Sequence, residues 1–167
     1  HRRNQRKTTV RLKMTNGSDQ VFLVTGSNSG SSRSYLKKSS FHINDIKDTK
    51  ILNLSSIYQS KSYGPIEQRD YLNQAIHIET KLTAFELLDE LLIIEDKLGR
   101  VRKEKWGPRT IDIDIIFYED HEISTPKLTI PHYDWENRDF FIAGLKEINC
   151  PFIEGNGLSL KKVKKLI

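Results

Sequence analysis

The chain has 167 residues, 37% of them hydrophobic, which fits one globular domain with a tail. Its single cysteine, Cys150, excludes an internal disulfide and favours a reducing compartment. No apolar run in the chain is long enough for a membrane span or resembles a secretory signal.

The net charge of +5 is concentrated at the two ends of the chain. Residues 1–13 hold six Lys or Arg and no acid, and residues 161–167 hold four Lys and no acid. Without these ten, 17 basic residues face 22 acidic ones, a net charge of −5. We therefore expect a basic extension or linker at 1–19, the main domain at 20–160, and a basic tail at 161–167. The N-terminal arm could contact nucleic acid, derive from a targeting segment or lead to another domain.

The first half of the chain alternates apolar runs with turn signals. In chain order it predicts a strand at 21–24, a Gly/Ser-rich turn at 25–30, a helix at 32–46, a strand at 51–58, a polar loop at 59–70 and a strand at 71–79. The apolar stripe of the predicted helix is thin, and its serines are poor helix formers.

The second half begins with the clearest helix in the sequence. Thr83 and Glu86 have the spacing of a capping box, apolar residues follow at helical spacing, and Gly99 ends the helix. The remaining pattern predicts a strand from Asp112, a turn at 119–120, a short strand at 128–130 and a final helix at 137–148. The order βαββαβ predicts an α+β fold, a ferredoxin-like three-layer αβα sandwich with an antiparallel sheet.

A basic segment followed by two carboxylates carries most of the chemistry in this sequence. Five Lys or Arg lie between Gly99 and Asp112. Asp112 and Asp114 alternate with isoleucines, so on a strand both carboxylates point to one face, about 6.6 Å apart along the chain. Mg²⁺ held by one or two carboxylates and substrate phosphates is a usual arrangement, and Arg side chains clamp phosphate oxygens. The alternative is an edge strand beside a solvated basic loop.

Together with Thr129–Tyr133 and Asn137–Phe140, this segment resembles the 6-hydroxymethyl-7,8-dihydropterin pyrophosphokinases of folate biosynthesis. The resemblance runs from about Val21 to about Pro151. It implies ATP-dependent pyrophosphoryl transfer to the hydroxymethyl group of the pterin, which gives AMP and the pterin diphosphate.

The resemblance also implies a set of site residues. Asp112 and Asp114 would bind two Mg²⁺ ions, with ATP as co-substrate. The positions implied to be catalytic are Arg100, Arg102, Lys105, Trp106 and Arg109. Those implied to bind ATP are Glu95, Ile115, Lys127, Thr129, His132, Tyr133 and Arg138. Those implied to bind the pterin are Ser60, Tyr63, Tyr71, Asn73 and Phe140.

Lys105 departs from the pattern of the family, which has an arginine there, and so does Leu92, where glutamine is common. Two other functions are considered: an inactive folate-pathway domain of a multifunctional protein, and a nucleic-acid-binding ferredoxin-like module. The latter needs aromatic and basic residues interleaved on central strands, an arrangement that this sequence lacks. Because the chain starts at His1 rather than Met, we expect other folate-pathway domains to be linked to it. We expect a cytoplasmic location, or an organellar matrix.

Overall fold

A computed structural model of the chain describes residues 8–11, 17–61, 70–99, 110–153 and 164–166. Some predicted site residues lie outside these ranges: Tyr63, Arg100, Arg102, Lys105, Trp106 and Arg109.

The described residues form strands, three α-helices and two short 3-10 helices. In chain order the strands and α-helices are β1 (Thr9–Arg11), β2 (Asp19–Ser27), α1 (Ser32–Asn44), β3 (Thr49–Leu54), β4 (Ile57–Ser60), β5 (Tyr71–Thr80), α2 (Ala84–Lys97), β6 (Asp112–Tyr118), β7 (Glu122–Ser124), β8 (Thr129–Ile130), α3 (Asp139–Glu147) and β9 (Lys164–Leu166). The 3-10 helices span Trp135–Asn137 and Pro151–Ile153.

The main sheet is antiparallel, with the strand order β6-β2-β5-β4-β9 and with β3 also paired to β5. Strands β1, β7 and β8 form a second, small sheet. Helices α1 and α2 lie on one face of the main sheet, and α3 lies on the other. The elements β2, α1, β3–β4, β5, α2 and β6 follow the βαββαβ order, so the predicted ferredoxin-like three-layer sandwich is confirmed.

Alternating side chains of the strands divide between two cores. Val21, Leu23 and Ile76 are fully buried in the core under α1 and α2. Phe22 and Val24 point the opposite way, into an aromatic-rich core under α3. The predicted capping box of α2 is confirmed, since Glu86 N donates to Thr83 Oγ1 at 3.2 Å and Thr83 N donates to Glu86 Oε1 at 3.0 Å.

The turn predicted at 25–30 is wrong in its first three residues, which continue β2. Strand β2 lies between β5 and β6, and its pairing with β5 extends to Ser27. The two neighbouring strands therefore form hydrogen bonds with backbone groups that would lack these partners in a turn. The strand predicted at 51–58 is interrupted at Ser55 and Ser56. There Ala75 N donates to Ser55 Oγ at 2.9 Å, so a side chain replaces a backbone acceptor of the ladder.

The last predicted helix also begins differently from the expectation. A 3-10 turn covers Trp135–Asn137, and the α-helix starts only at Asp139. Residues 9–11 and 164–166 fall in the predicted extension and tail, yet they form strands paired with β7 and β4. The proposed domain limits stay a prediction. Among the described residues, no helix combines the length and apolarity of a membrane span.

Candidate active site at one end of the sheet

Several strands reach the same end of the main sheet, which we call the site end and define by Ser27, Ser60, Tyr71 and Asp112. Residue pairing aligns three of its side-chain positions in one row. Gly26 of β2 lies opposite Asn73 of β5 on one side and opposite Asp112 of β6 on the other. Because directly paired residues of antiparallel strands share a face, Asn73 and Asp112 point to the same side of the sheet. With strands about 4.8 Å apart, their backbones lie about 10 Å from each other.

Gly26 forms the floor between these two side chains. A Cβ atom at this position would lie 2.9 Å from Asn73 Oδ1, closer than real contacts allow. The absent side chain therefore lets the Asn73 amide lie over β2. In the next row Val24 separates Ala75 from Asp114, so both aspartates lie on the face that α3 covers further along the sheet.

The β4–β5 side of the row is a neutral, hydrogen-bonded surface. Asn73 is 3% exposed, and its Nδ2 donates to Ser60 Oγ at 3.0 Å. Ser60 is opposite Tyr71, which is half-buried at the start of β5. Phe140, in the first turn of α3, is half-buried and packs edge-on against Phe141 with ring centres 5.0 Å apart. Helix α3 packs on β4 and β5, so it brings Phe140 to the face that carries Tyr71 and Asn73.

A cavity of about 640 Å³ also opens at the site end. It is lined by the turn after β2, the start of α1 and the adjoining ends of β4 and β5: Ser29, Gly30, Ser31, Ser32, Arg33, Ser34, Gln59, Asp70 and Leu72. Gln59 and Leu72 alternate with Ser60 and Tyr71 along their strands, so this cavity lies on the α1 face of the sheet, opposite the face that carries Tyr71 and Asn73.

The β6 side of the row carries charge instead. Asp112 and Asp114 are partly exposed, whereas Ile111, Ile113 and Ile115 between and beside them are buried under α2. Within the ranges that the structure describes, no group of three or more His, Cys, Asp or Glu could hold a metal ion. Two oxygen-donor side chains suit a hard cation whose remaining ligands come from phosphates and water, as Mg²⁺ is usually bound.

Glu95 of α2 supports the strand of these aspartates. Its side chain is 5% exposed, and its Oε2 accepts a hydrogen bond of 2.8 Å from Ile113 N. Ile113 lies between Asp112 and Asp114. This carboxylate, predicted to bind ATP, therefore contacts the backbone that holds both aspartates.

His132 lies beside β6 and is held by two backbone contacts. Its N–H donates to Ile116 O at 2.9 Å, and its Nδ1 accepts from Asp134 N at 3.1 Å. Burial, and next the neighbouring Arg138 cation, lower the pKa of His132 to about 4. The ring is therefore neutral near pH 7. Because Nδ1 is an acceptor, the proton of the neutral ring is on Nε2, which can donate to an anionic oxygen.

Arg138 is fixed next to this histidine. Its Nε donates to Asp134 Oδ2 at 3.1 Å, its Nη2 donates to Tyr133 Oη at 3.3 Å, and its guanidinium lies 5.0 Å from the ring centre of Phe141. Hydrogen bonds from Asn137 and Arg138 lower the pKa of Asp134, so this carboxylate stays charged. Tyr133 is 76% exposed and stacks on His132 with ring centres 4.8 Å apart. His132, Tyr133 and Arg138 together form an aromatic and cationic surface near β6.

The other residues predicted to bind ATP lie along β6 and β8. Ile115 is buried in β6, and Thr129 is exposed in β8. Lys127 Nζ lies 3.1 Å from Asp89 Oδ1 of α2, so its ammonium is paired with a carboxylate here. The structure thus brings Ser60, Tyr71, Asn73 and Asp112 to the site end, and it places Lys127 at an ion pair with α2.

Two features of the site were missed by our reading of the sequence. Gly26 was assigned to a turn, although a glycine inside a strand is a recognised signal of close approach by a neighbouring group. Asp134, which fixes both His132 and Arg138, was not singled out. Its spacing of four residues from Arg138 could have indicated a pair, but a helix would have been needed to justify it.

Comparison with protein families gives a match that spans most of the chain. Residues 22–150 match the family model for 7,8-dihydro-6-hydroxymethylpterin-pyrophosphokinase, HPPK. The 2-amino-4-hydroxy-6-hydroxymethyldihydropteridine pyrophosphokinase of Haemophilus influenzae is 40% identical over 145 residues, which cover 87% of this chain and 91% of the relative. The enzyme of the same name from Bacillus subtilis is 36% identical over 139 residues, 83% of each chain.

Solved structures with the same fold include HPPK-DHPS proteins. One, in complex with substrates, has a TM-score of 0.64 and 14% identity and covers 90% of this chain. Another, the Plasmodium falciparum HPPK-DHPS A437G/K540E with pterin and p-hydroxybenzoate, has a TM-score of 0.63 and 13% identity. The present chain spans about half the length of these solved chains, 46% and 48%. At this identity the likeness shows the fold.

Proposed function

Because the chain belongs to the 7,8-dihydro-6-hydroxymethylpterin-pyrophosphokinase family, we propose that the site end of its sheet is where the two substrates of the family reaction meet. The chain is an ATP-dependent diphosphotransferase of folate biosynthesis. It transfers the pyrophosphoryl group of ATP to the hydroxymethyl group of 6-hydroxymethyl-7,8-dihydropterin, and its substrates are therefore ATP and this pterin.

The observation that carries the proposal is the row formed by Asn73, Gly26 and Asp112. A neutral amide stands on one side of a side-chain-free floor, and a carboxylate stands on the other. The reaction needs the same division, because an uncharged heteroaromatic ring must approach a polyphosphate that is bound with metal. The row is short enough for both substrates to lie on one face of the sheet.

The pterin would lie on the β4–β5 side of the row. An amide offers both a donor and an acceptor, so Asn73 can pair with the polar edge of the ring while Ser60 holds the amide in place. Tyr71 and Phe140 would stack on the two faces of the pterin, an arrangement worth about 1 kcal/mol beyond area burial. Tyr63, which lies outside the described residues, is proposed for the same half.

The triphosphate of ATP would lie on the β6 side. Asp112 and Asp114 would hold two Mg²⁺ ions, which when bound neutralise phosphate charge and orient the reacting oxygens. His132 donates through Nε2 to a phosphate oxygen, and Tyr133 and Arg138 add a hydroxyl and a cation. We propose that Arg100, Arg102, Lys105, Trp106 and Arg109 grip the phosphates as well. Glu95, which we also propose lies near the bound ATP, would keep the aspartate strand in place through its hydrogen bond from Ile113 N, while Ile115, Lys127 and Thr129 would contact the nucleoside.

In the proposed reaction the pterin hydroxymethyl oxygen attacks the β-phosphorus of ATP. The bond from the β-phosphorus to the oxygen bridging it to the α-phosphorus breaks, AMP leaves with that oxygen, and the hydroxyl proton passes to water. The residues of the chain position the two substrates relative to each other. Catalysis of such transfers depends mainly on this positioning and not on a covalent bond between the protein and the substrate. Lys105 supplies a point charge where an arginine fork is usual in the family.

Calorimetric titration with a non-hydrolysable ATP analogue and Mg²⁺, with and without the pterin, tests this assignment. We expect the analogue to bind only weakly without Mg²⁺ and the pterin to bind at one site per chain. AMP formation from ATP and the pterin is the matching activity assay. Binding of the analogue that is indifferent to Mg²⁺, or unchanged by Asp112→Asn, would contradict the metal assignment.

The two other functions are not favoured by the family match and the named relatives. We propose that further folate-pathway domains are linked to the chain, as the name HPPK-DHPS implies for the solved structures. We also propose a location in the cytoplasm or an organellar matrix. Identifying the full-length transcript and its product in cell fractions tests both statements.

A further inference from the structure

Glu147, the last residue of α3, joins three parts of the main sheet. Its Oε2 accepts from Ser56 N and from Tyr58 Oη, both at 2.9 Å, and its Oε1 accepts from Ser56 Oγ at 2.7 Å. Lys165 Nζ of β9 lies 3.5 Å from the same Oε1. The Glu147 carboxylate thus contacts Ser56 between β3 and β4, Tyr58 in β4, and Lys165 in β9, the strand that pairs with β4.

Helix α3 also packs closely on the sheet at this break. A Cβ atom at Gly144 would lie 2.8 Å from Ala75 Cβ and 3.0 Å from Ser55 Oγ. Ser55 in turn is bound to Ala75 through its backbone N and its hydroxyl, both at 2.9 Å. Gly144 therefore sets how near the helix comes, and Glu147 sets where its end is attached along β4.

This attachment has a consequence for the proposed pterin half, on which the inference rests. The start of α3 carries Phe140, and β4 carries Ser60, the partner of Asn73. A helix is nearly rigid over two turns, so the position of its end fixes the position of its start. The distance of Phe140 from the β4–β5 surface thus depends on the contacts of Glu147.

We propose that Glu147 is a positioning residue that sets the width of the pterin slot between Phe140 and the β4–β5 surface. It touches neither substrate and acts through Ser56 and Tyr58. Burial raises the pKa of Glu147, but hydrogen bonds from Ser56 and Tyr58 together outweigh it and lower the pKa, so the carboxylate stays charged at neutral pH. The pKa of Tyr58 is raised to about 12 by burial and the Glu147 contact, so its hydroxyl stays a donor.

Binding of the two substrates to the full chain, measured separately, tests the proposal. We expect Glu147→Ala to weaken pterin binding about tenfold and to raise its KM similarly, because each hydrogen bond to a charged group contributes appreciably. Affinity for the Mg²⁺-bound ATP analogue, and kcat at saturating pterin, should stay within about twofold of the parent. Hydrogen exchange should rise at 55–60 and stay unchanged at 112–118.

Three further variants separate positioning from general stability. Glu147→Gln keeps one acceptor oxygen, so its pterin affinity should lie between that of the parent and that of Glu147→Ala. Tyr58→Phe removes one donor and should cost pterin affinity about two- to threefold. It remains informative if Glu147→Ala fails to fold. Lys146→Gln, an exposed neighbour on the same helix, changes one charge and should leave both affinities unchanged.

Selective loss of pterin affinity, in the order Glu147→Ala, Glu147→Gln, Tyr58→Phe, supports the proposal. Equal weakening of both substrates, or no weakening, overturns it. Failure of the proposed function is distinguishable, because then the parent chain itself would not bind the pterin, whatever the variants do.

Discussion

The two halves of the candidate site are built differently. On the β4–β5 side, Asn73 and Ser60 are nearly buried and already hydrogen-bonded to each other. On the β6 side, Asp112 and Asp114 are partly exposed and bring two like charges to one face. The neutral half is held by a hydrogen bond between two protein side chains, whereas the charged half offers carboxylate oxygens of the kind that bind Mg²⁺ together with phosphates. Substitutions in the two halves should therefore differ in kind.

Asp114→Asn should have the largest effect, with a similar result for Asp112→Asn. Turnover should fall by about 10³-fold or more, since the charge that balances the metal is lost. The melting temperature without ligands should hold or rise, because one of two like charges is removed. Asp96→Asn, at an exposed site on α2, is the control. AMP formation at close to the parent rate in Asp114→Asn would mean that the charged half is assigned wrongly.

Arg109→Ala should come next. Loss of a guanidinium that we propose grips phosphate is expected to cost about 2–4 kcal/mol of transition-state stabilisation, seen in kcat/KM. Lys105→Arg restores the fork usual in the family and should keep or improve kcat/KM. If Arg109→Ala changed only the KM for the pterin, the contrast between the halves would not hold.

Gly26→Ala should damage the neutral half selectively. The added methyl would lie 2.9 Å from Asn73 Oδ1 and displace the amide, so the KM for the pterin should rise about tenfold with little change in ATP affinity. Asn73→Ala provides the matched background, because Gly26→Ala should have no further effect once the amide is gone. An additive effect of the two changes would refute the role of Gly26 as a floor for Asn73.

The smallest effect concerns pH and stability. The pKa of His132 is lowered to about 4 in the folded chain, so between pH 6.5 and 4 the unfolded chain binds a proton that the folded chain does not. The free energy of unfolding should therefore fall as pH falls through this window. His132→Asn should show a shallower fall than the parent in urea melts at pH 4.5, 5.5 and 6.5. Equal slopes would show that the ring is not held neutral by its surroundings.

Local patterns in the sequence were enough to predict the charged half and most of the elements. The alternation of Asp112 and Asp114 with isoleucines, and the capping box at Thr83, each depend on residues close in the chain. The row of Asn73, Gly26 and Asp112 does not. Its alignment depends on the register of three strands, and a slip by one residue would turn Asn73 to the opposite face.

The sequence also did not predict where a side-chain oxygen takes the place of a backbone acceptor between two strands. The break at Ser55 exists because its hydroxyl accepts from Ala75 N, and nothing in the composition of 51–58 marks that residue. The role of Glu147 also depends on how α3 lies on the sheet. By contrast, the family resemblance supplied residues such as His132 that periodicity alone would have left as packed side chains.

The position of β6 has a consequence for how the chain folds. Strand β6 lies at one edge of the main sheet, and Asp112 follows its partner Gly26 by 86 residues. Closing a loop of that length is entropically costly, and contacts between distant residues form slowly. Early compact species can pair β5 with β3 and β4 well before β6 arrives. Chains in which β6 has not yet paired with β2 keep Asn73 and Asp112 apart, so such partly folded chains would have no catalytic activity.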